Sequence, residues 1–276
     1  MIVMSLLKYS AVFFLLALII VPQVRAIPSG GVMPPVFKYS SGSWYDEFGL
    51  TRDNADGVDG YLPRLQSETI GVNKELAYSI GQRFNATYSD RNAMAAAILK
   101  YVQTWTEYGY DSDNVVMGGV AQDEWAWNAD EMEHNINEST GAVAIGDCED
   151  LAFLCATIYK GAGIETAIIS APGHCALLIW LPDFQNANQY WELPEDSRGA
   201  GWIWVEATGS SNPLGWTPDD FFDGNWTAYT LVNGVYHGQQ PVMSGSSSSG
   251  SDDLDLLFTI GFFILIIVSR MFRRNI

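Results

Sequence analysis

Basic charge, cysteine and histidine are all scarce in this chain. Of 276 residues, 14 are Lys or Arg against 32 Asp or Glu. Two of the basic residues fall before residue 27 and three after residue 269, which leaves nine against all 32 acids between. An acidic surface of that kind repels phosphate, so nucleic acid and anionic lipid are excluded as partners. It fits a solvated acidic face, with cation binding as the alternative. There are three cysteines, an odd number, so at least one stays free or pairs with another chain. The three histidines, His134, His174 and His237, leave few candidates for a general base. No internal repeat is present.

Long apolar runs occur only at the two ends. Residues 1–26 have the plan of a secretory signal: Lys8, an apolar stretch from Ala11 to Val21, and small residues Val24 and Ala26 at the offsets for cleavage. An uncleaved N-terminal anchor is the alternative. At the other end residues 241–253 hold a polar Ser/Gly linker, and 254–272 read as a transmembrane helix followed by a short basic tail, 273–276. Arg270, Arg273 and Arg274 orient that tail to the cytoplasm. The expectation is a single-pass protein of the cell membrane with its N-terminal bulk extracellular. Sequons stand at Asn85, Asn137 and Asn225.

Between the ends, residues 27–65 are rich in Gly, Pro, Ser and Asp, and little regular structure is expected there. TRDNADGVDG, 51–60, resembles a calcium loop in composition. Its spacing fails: a glycine at the sixth loop position puts Arg52 or Ala55 at the first ligand position. Helical patterns run over 73–84 and 90–108, with Asp90 as N-cap. Residues 111–142 predict a loop with one short helix. ETAIIS (165–170), HCALLIWL (174–181) and GWIWVEAT (201–208) read as strands. Helices followed by strands imply an α+β domain with an antiparallel sheet.

The informative stretch is AIGDCEDLAFLCATIYKGAG, 144–163. Asp147 is a natural N-cap, and Gly161 or Gly163 a natural stop. Cys148 then opens a largely buried helix. The macrodipole there favours a thiolate, whereas Glu149 and Asp150 oppose it, so an imidazolium is needed to tip the balance. Cys148 and Cys155 are two turns apart, about 10 Å at 1.5 Å per residue, too far to bridge. Cys155 with Cys175 stays open, leaving Cys148 as the free thiol. His174 opens an apolar strand. Glu206 sits in an aromatic strand, where a carboxylate needs a partner, and a histidine N–H would serve.

GDCEDLAFLCATIYKGAGIETAIIS, GHCALLIWL and WIWVEATG together resemble the transglutaminase-like superfamily, in particular its membrane-associated prokaryotic members. The stretches YVQTWTEYGYDSD, EWAWNADE and LGWTPDDF add to the likeness, which covers about residues 95–222. The resemblance implies a papain-like core over 91–240, preceded by an extension, 27–90. It implies Cys148 as nucleophile, His174 as general base and acid, and Glu206 as orienting carboxylate. It also implies an oxyanion role for the Cys148 N–H and for Trp127, with Trp125 behind it. No cofactor is required. Peptide or protein amides would be the substrates, with hydrolysis or transamidation as the outcome. Two alternatives stay open: a non-catalytic surface binding module, and a dimer linked through Cys148.

Overall fold

The computed structural model describes residues 36–243 except 47, 54, 56, 72–74 and 233–234. The expected signal, most of the linker and the expected membrane helix lie outside the described residues. Within them no helix is long and apolar enough to cross a membrane.

The architecture is α+β. Its centre is a helix that is apolar on nearly every side. Leu151, Phe153, Leu154, Cys155 and Ile158 of that helix, Cys148–Gly161, are all buried, and such a helix must be covered all round. Five further helices precede it among the described residues. In order they are α1 (Val58–Thr69), α2 (Leu76–Thr87), α3 (Arg91–Trp105), α4 (Asp111–Asn114) and α5 (Ala129–Asn135), so the central helix is α6. Helices α1, α2, α3 and α5 cover one side of it and a sheet covers the other. Two glycines let α2 and α6 approach. A Cβ on Gly81 would stand 2.0 Å from the Ile158 carbonyl, and one on Gly161 2.1 Å from the Tyr78 carbonyl. Replacing either would push the helices apart and open the core.

The strands are β1 (Lys38–Ser40), β2 (Ser43–Tyr45), β3 (Thr106–Tyr108), β4 (Val116–Met117), β5 (Val120–Ala121), β6 (Ala144–Gly146), β7 (Thr166–Ala171), β8 (His174–Trp180), β9 (Trp191–Glu192), β10 (Trp202–Val205), β11 (Thr227–Val232), β12 (Val235–Gln239) and β13 (Val242–Met243). Seven of them form an antiparallel sheet in the order β12-β11-β7-β8-β10-β9-β13. Ile168, Leu177, Ile179, Ile203 and Val205 face α6. On the other face Trp191, Trp202, Trp204 and Trp226 make a second apolar layer. The alternation follows the two-residue period of the pleat. A separate parallel pair, β3 with β6, aligns Tyr108 with Gly146 and delivers the chain to Cys148.

The N-terminal extension is more ordered than its composition predicts. It holds the β1–β2 hairpin, and helix α1 packs Leu62 and Leu65 into the core. A buried charge network anchors it. The Arg52 guanidinium pairs with Asp46 at 3.1 Å and Glu131 at 2.6 Å, and donates to the Ala126 carbonyl at 2.8 Å. Such a tie between distant segments is invisible in a window of sequence. Elsewhere the reading holds: Asp90 accepts the Ala93 N–H at 2.6 Å as N-cap of α3, and Asp147 caps α6. Residues 111–142 hold two short helices and a small hairpin where one helix is expected.

Removing Arg52 leaves Asp46 and Glu131 buried without a cation. Arg52→Ala should therefore cost about 3 kcal/mol or more of unfolding free energy in a urea titration. A cost below about 1 kcal/mol, the range of an exposed pair, would show that the network does not anchor the extension.

Candidate active site

Cys148 is the first residue of α6, where its backbone N–H has no partner in the helix. The turn before it is built around Asp150, whose side chain is fully buried. Its Oδ2 accepts the Asp147 N–H at 3.1 Å, and its Oδ1 accepts the Trp127 N–H at 2.7 Å. Gly146 makes room for it, since a Cβ there would stand 2.5 Å from Oδ2.

His174 is the first residue of β8, paired in register with Ala171 of β7. Its Nε2 lies 2.9 Å from Glu206 Oε2. Glu206 follows the last residue of β10 by one position, rather than lying inside the strand as expected. It is buried, 4% exposed against 19% for the imidazole. Its other oxygen, Oε1, accepts from both the hydroxyl and the N–H of Thr208, and Trp204 Nε1 donates to Oε2 at 3.3 Å. Burial pushes this carboxyl up, but the bond and charge of His174, with the bonds of Thr208, hold it below its usual range. Phe221 completes the pair. Its ring stacks on both the imidazole, 5.2 Å away at 10°, and Trp204, 5.3 Å away at 11°. Phe221 belongs to the LGWTPDDF stretch. Only its place across the sheet, not its spacing, reveals that it packs on His174.

The thiol sits between the two elements. Its hydrogen faces Glu149 Oε2 at 3.4 Å, and the backbone N–H of Cys175 is near enough to favour the ionised form of the thiol. His174 is the chain neighbour of Cys175, yet no Cys148–His174 hydrogen bond occurs among the described residues. The helix terminus does not win the contest over this proton. Burial, then Glu149, Cys175 and Asp147, push the thiol well up, against the Cys175 N–H. The macrodipole at the helix start is thus outweighed, chiefly by burial of the thiol and then by the neighbouring carboxylates. All three cysteines are free. Cys155 is buried in the core, while Cys175 lies beside Cys148.

Trp127 and Trp125 both lie near the first turn of α6. Trp127 is half-buried, held by Asp150 and packed edge-on against Trp125 at 5.8 Å. Trp125 is fully buried, with its N–H donating to Asp111 Oδ2 at 2.6 Å. Its place is therefore structural. Asp111, Glu124, Asp147 and Glu149 bring carboxylate oxygens within 4.8 Å of one another, a set that could offer a hard cation oxygen ligands. A groove lined by Asp90, Arg91, Glu165, Trp180 and Arg198 lies at the far end of β8 from His174.

No family model matches the chain, and none of the curated proteins does. A solved structure from Cytophaga hutchinsonii, named provisionally as a cysteine protease, is similar at 12% identity over 63% of this chain and 54% of that one, with a TM-score of 0.29. The chain thus spans about half the length of that neighbour. The superposition is loose, and the site stands on its own geometry.

The crowding of carboxylates gives stability an unusual pH dependence. Burial, with the charge of Asp147, pushes Asp111 up to about 8. A carboxyl raised on folding stabilises fully below its unfolded value of 3.8, and that contribution is lost as pH rises through about 8. Glu206, lowered on folding, acts oppositely: its contribution is present above 4.5 and lost as pH falls below it. The melting temperature should therefore be higher at pH 5.5 than at pH 9, and Asp111→Asn should shrink that difference. An unchanged difference in the variant would rule out Asp111 as a source.

Proposed function

We propose that the chain is a thiol acyl-transfer enzyme acting on peptide or protein amides, with Cys148 as nucleophile, His174 as base and acid, and Glu206 as the orienting carboxylate. The observation that carries this reading is the Glu206–His174 hydrogen bond at the start of the strand whose next residue, Cys175, lies beside Cys148. Glu206 occupies Nε2, so Nδ1 is the nitrogen left to work on the thiol. A carboxylate held by His174, Thr208 and Trp204 keeps that tautomer and stabilises the imidazolium that forms.

Because the resting thiol keeps its proton, attack and proton transfer go together. The Sγ–H proton passes to His174 Nδ1 as Sγ bonds to the amide carbonyl carbon, and the C=O pair moves onto oxygen. The Cys148 N–H and the neighbourhood of Trp127 receive that oxyanion. The C–N bond then breaks, and His174 returns the proton to the leaving amine. Water or a second amine resolves the thioester by the reverse sequence, giving hydrolysis or transamidation. The step requires the Cys148 side chain to turn away from Glu149, which its thiol faces at rest. With the expected signal and membrane helix in place, amides of the cell surface are the natural substrates.

Iodoacetamide alkylation of Cys148 from pH 4 to 10 tests the pair. In the unaltered chain the reaction should be selective for Cys148 over Cys155. His174→Ala should slow it by about tenfold or more near pH 7.5, the low end of general-base effects. A rate that ignores His174 would leave a non-catalytic module as the better reading.

A further inference from the structure

Asp150 lies one turn into α6, and the acyl-transfer reading assigns it nothing. Burial, with the charges of Asp147 and Asp111, works against an ionised form, and no Lys or Arg pairs with it among the described residues. Such a group is expensive to keep unless its oxygens are matched. They are matched by two backbone N–H groups from two different segments, Asp147 at 3.1 Å and Trp127 at 2.7 Å. The first bond closes the reciprocal cap of α6 and so sets the direction of the free N–H of Cys148. The second bond pins a loop residue 23 positions upstream of Asp150 to the same turn. Both groups that would meet the oxyanion are thus referred to one carboxylate.

We infer that Asp150 is a positioning residue for the oxyanion side of the site, fixing the Cys148 N–H and the Trp127 segment relative to one another through its two oxygens. This rests on the acyl-transfer reading. It goes further by separating two functions in the first turn: Glu149 faces the thiol, and Asp150 faces away and builds the receptor for the carbonyl oxygen. Asparagine can accept only one of the two N–H bonds, since its NH2 would meet the other donor. Asp150→Asn should therefore loosen one tie while keeping the volume.

Two probes of Cys148 in the full chain separate this role from general damage. Iodoacetamide alkylates by direct displacement and forms no oxyanion. p-Nitrophenyl acetate acylates through a tetrahedral oxyanion: the C–S bond forms as the thiol proton passes to His174, and the carbonyl then re-forms as the C–O bond breaks and nitrophenolate leaves. In Asp150→Asn, acetylation of Cys148 should fall about ten- to a hundredfold, approaching the loss of one oxyanion donor, while alkylation and its pH profile stay within about twofold. Equal rates in variant and unaltered chain would overturn the inference and leave the acyl-transfer reading standing. A parallel fall of both would overturn it too, since a merely structural role does that. No acetylation of Cys148 in the unaltered chain would overturn both. Should the variant not fold, amide hydrogen exchange in the unaltered chain decides. Protection of the Trp127 N–H comparable to that of the α6 interior supports the tie, and free exchange removes it.

Discussion

The site depends on one contact, that between the first turn of α6 and the start of β8. The turn supplies the thiol, and the strand supplies the imidazole and Cys175, which lies beside the thiol. Each element is held from behind. Helix α6 is fixed by the glycine-mediated approach of α2 and by an apolar surface buried on all sides, so its N-terminus cannot drift. Strand β8 is central in a seven-stranded antiparallel sheet, with β7 and β10 bonded on either side. The β10 neighbour is what brings Glu206 to His174.

A second theme is negative charge taken indoors. An acidic chain can leave its carboxylates in water, but here Asp46, Asp111, Asp130, Glu131, Glu149, Asp150 and Glu206 are buried. Two solutions recur. Arg52 neutralises Asp46 and Glu131 directly. Elsewhere backbone N–H groups do the work: Leu76 and Ala77 for Asp130, Trp125 for Asp111, Trp127 and Asp147 for Asp150. A carboxylate satisfied by N–H groups from separate segments joins those segments, and this explains why acids far apart in the chain organise one neighbourhood. Burial first, and then the same crowding, favours the protonated thiol, which gives His174 its part in the proposed reaction.

Much of this was legible in local pattern. The caps Asp90 and Asp147 are a matter of one residue type before an apolar helix, and the three strands of β-branched and aromatic residues lie near their expected positions. His174 and Glu206 stood out as chemistry-bearing groups in apolar strands, and they meet. Helix α1 did not stand out, because its Gly, Pro and Asp content disfavours a helix that packing against α6 then enforces. Phe221 and Asp150 were in view as letters, but their roles arise from partners 47 and 23 residues away.

By itself the sequence determined which groups are available: one cysteine at a helix start, one histidine at a strand start, one carboxylate among tryptophans, and an excess of acid. Periodicity and capping are short-range effects, so composition and spacing suffice for them. Only the tertiary structure decided how those groups are wired. It set the thiol against Glu149 instead of the imidazole, turned Asp150 inward, and stacked Phe221 on His174. These are choices between neighbours that only sheet register and helix packing bring within a few ångströms. A hydrogen bond or a desolvated charge has its energy at that range and almost none beyond it.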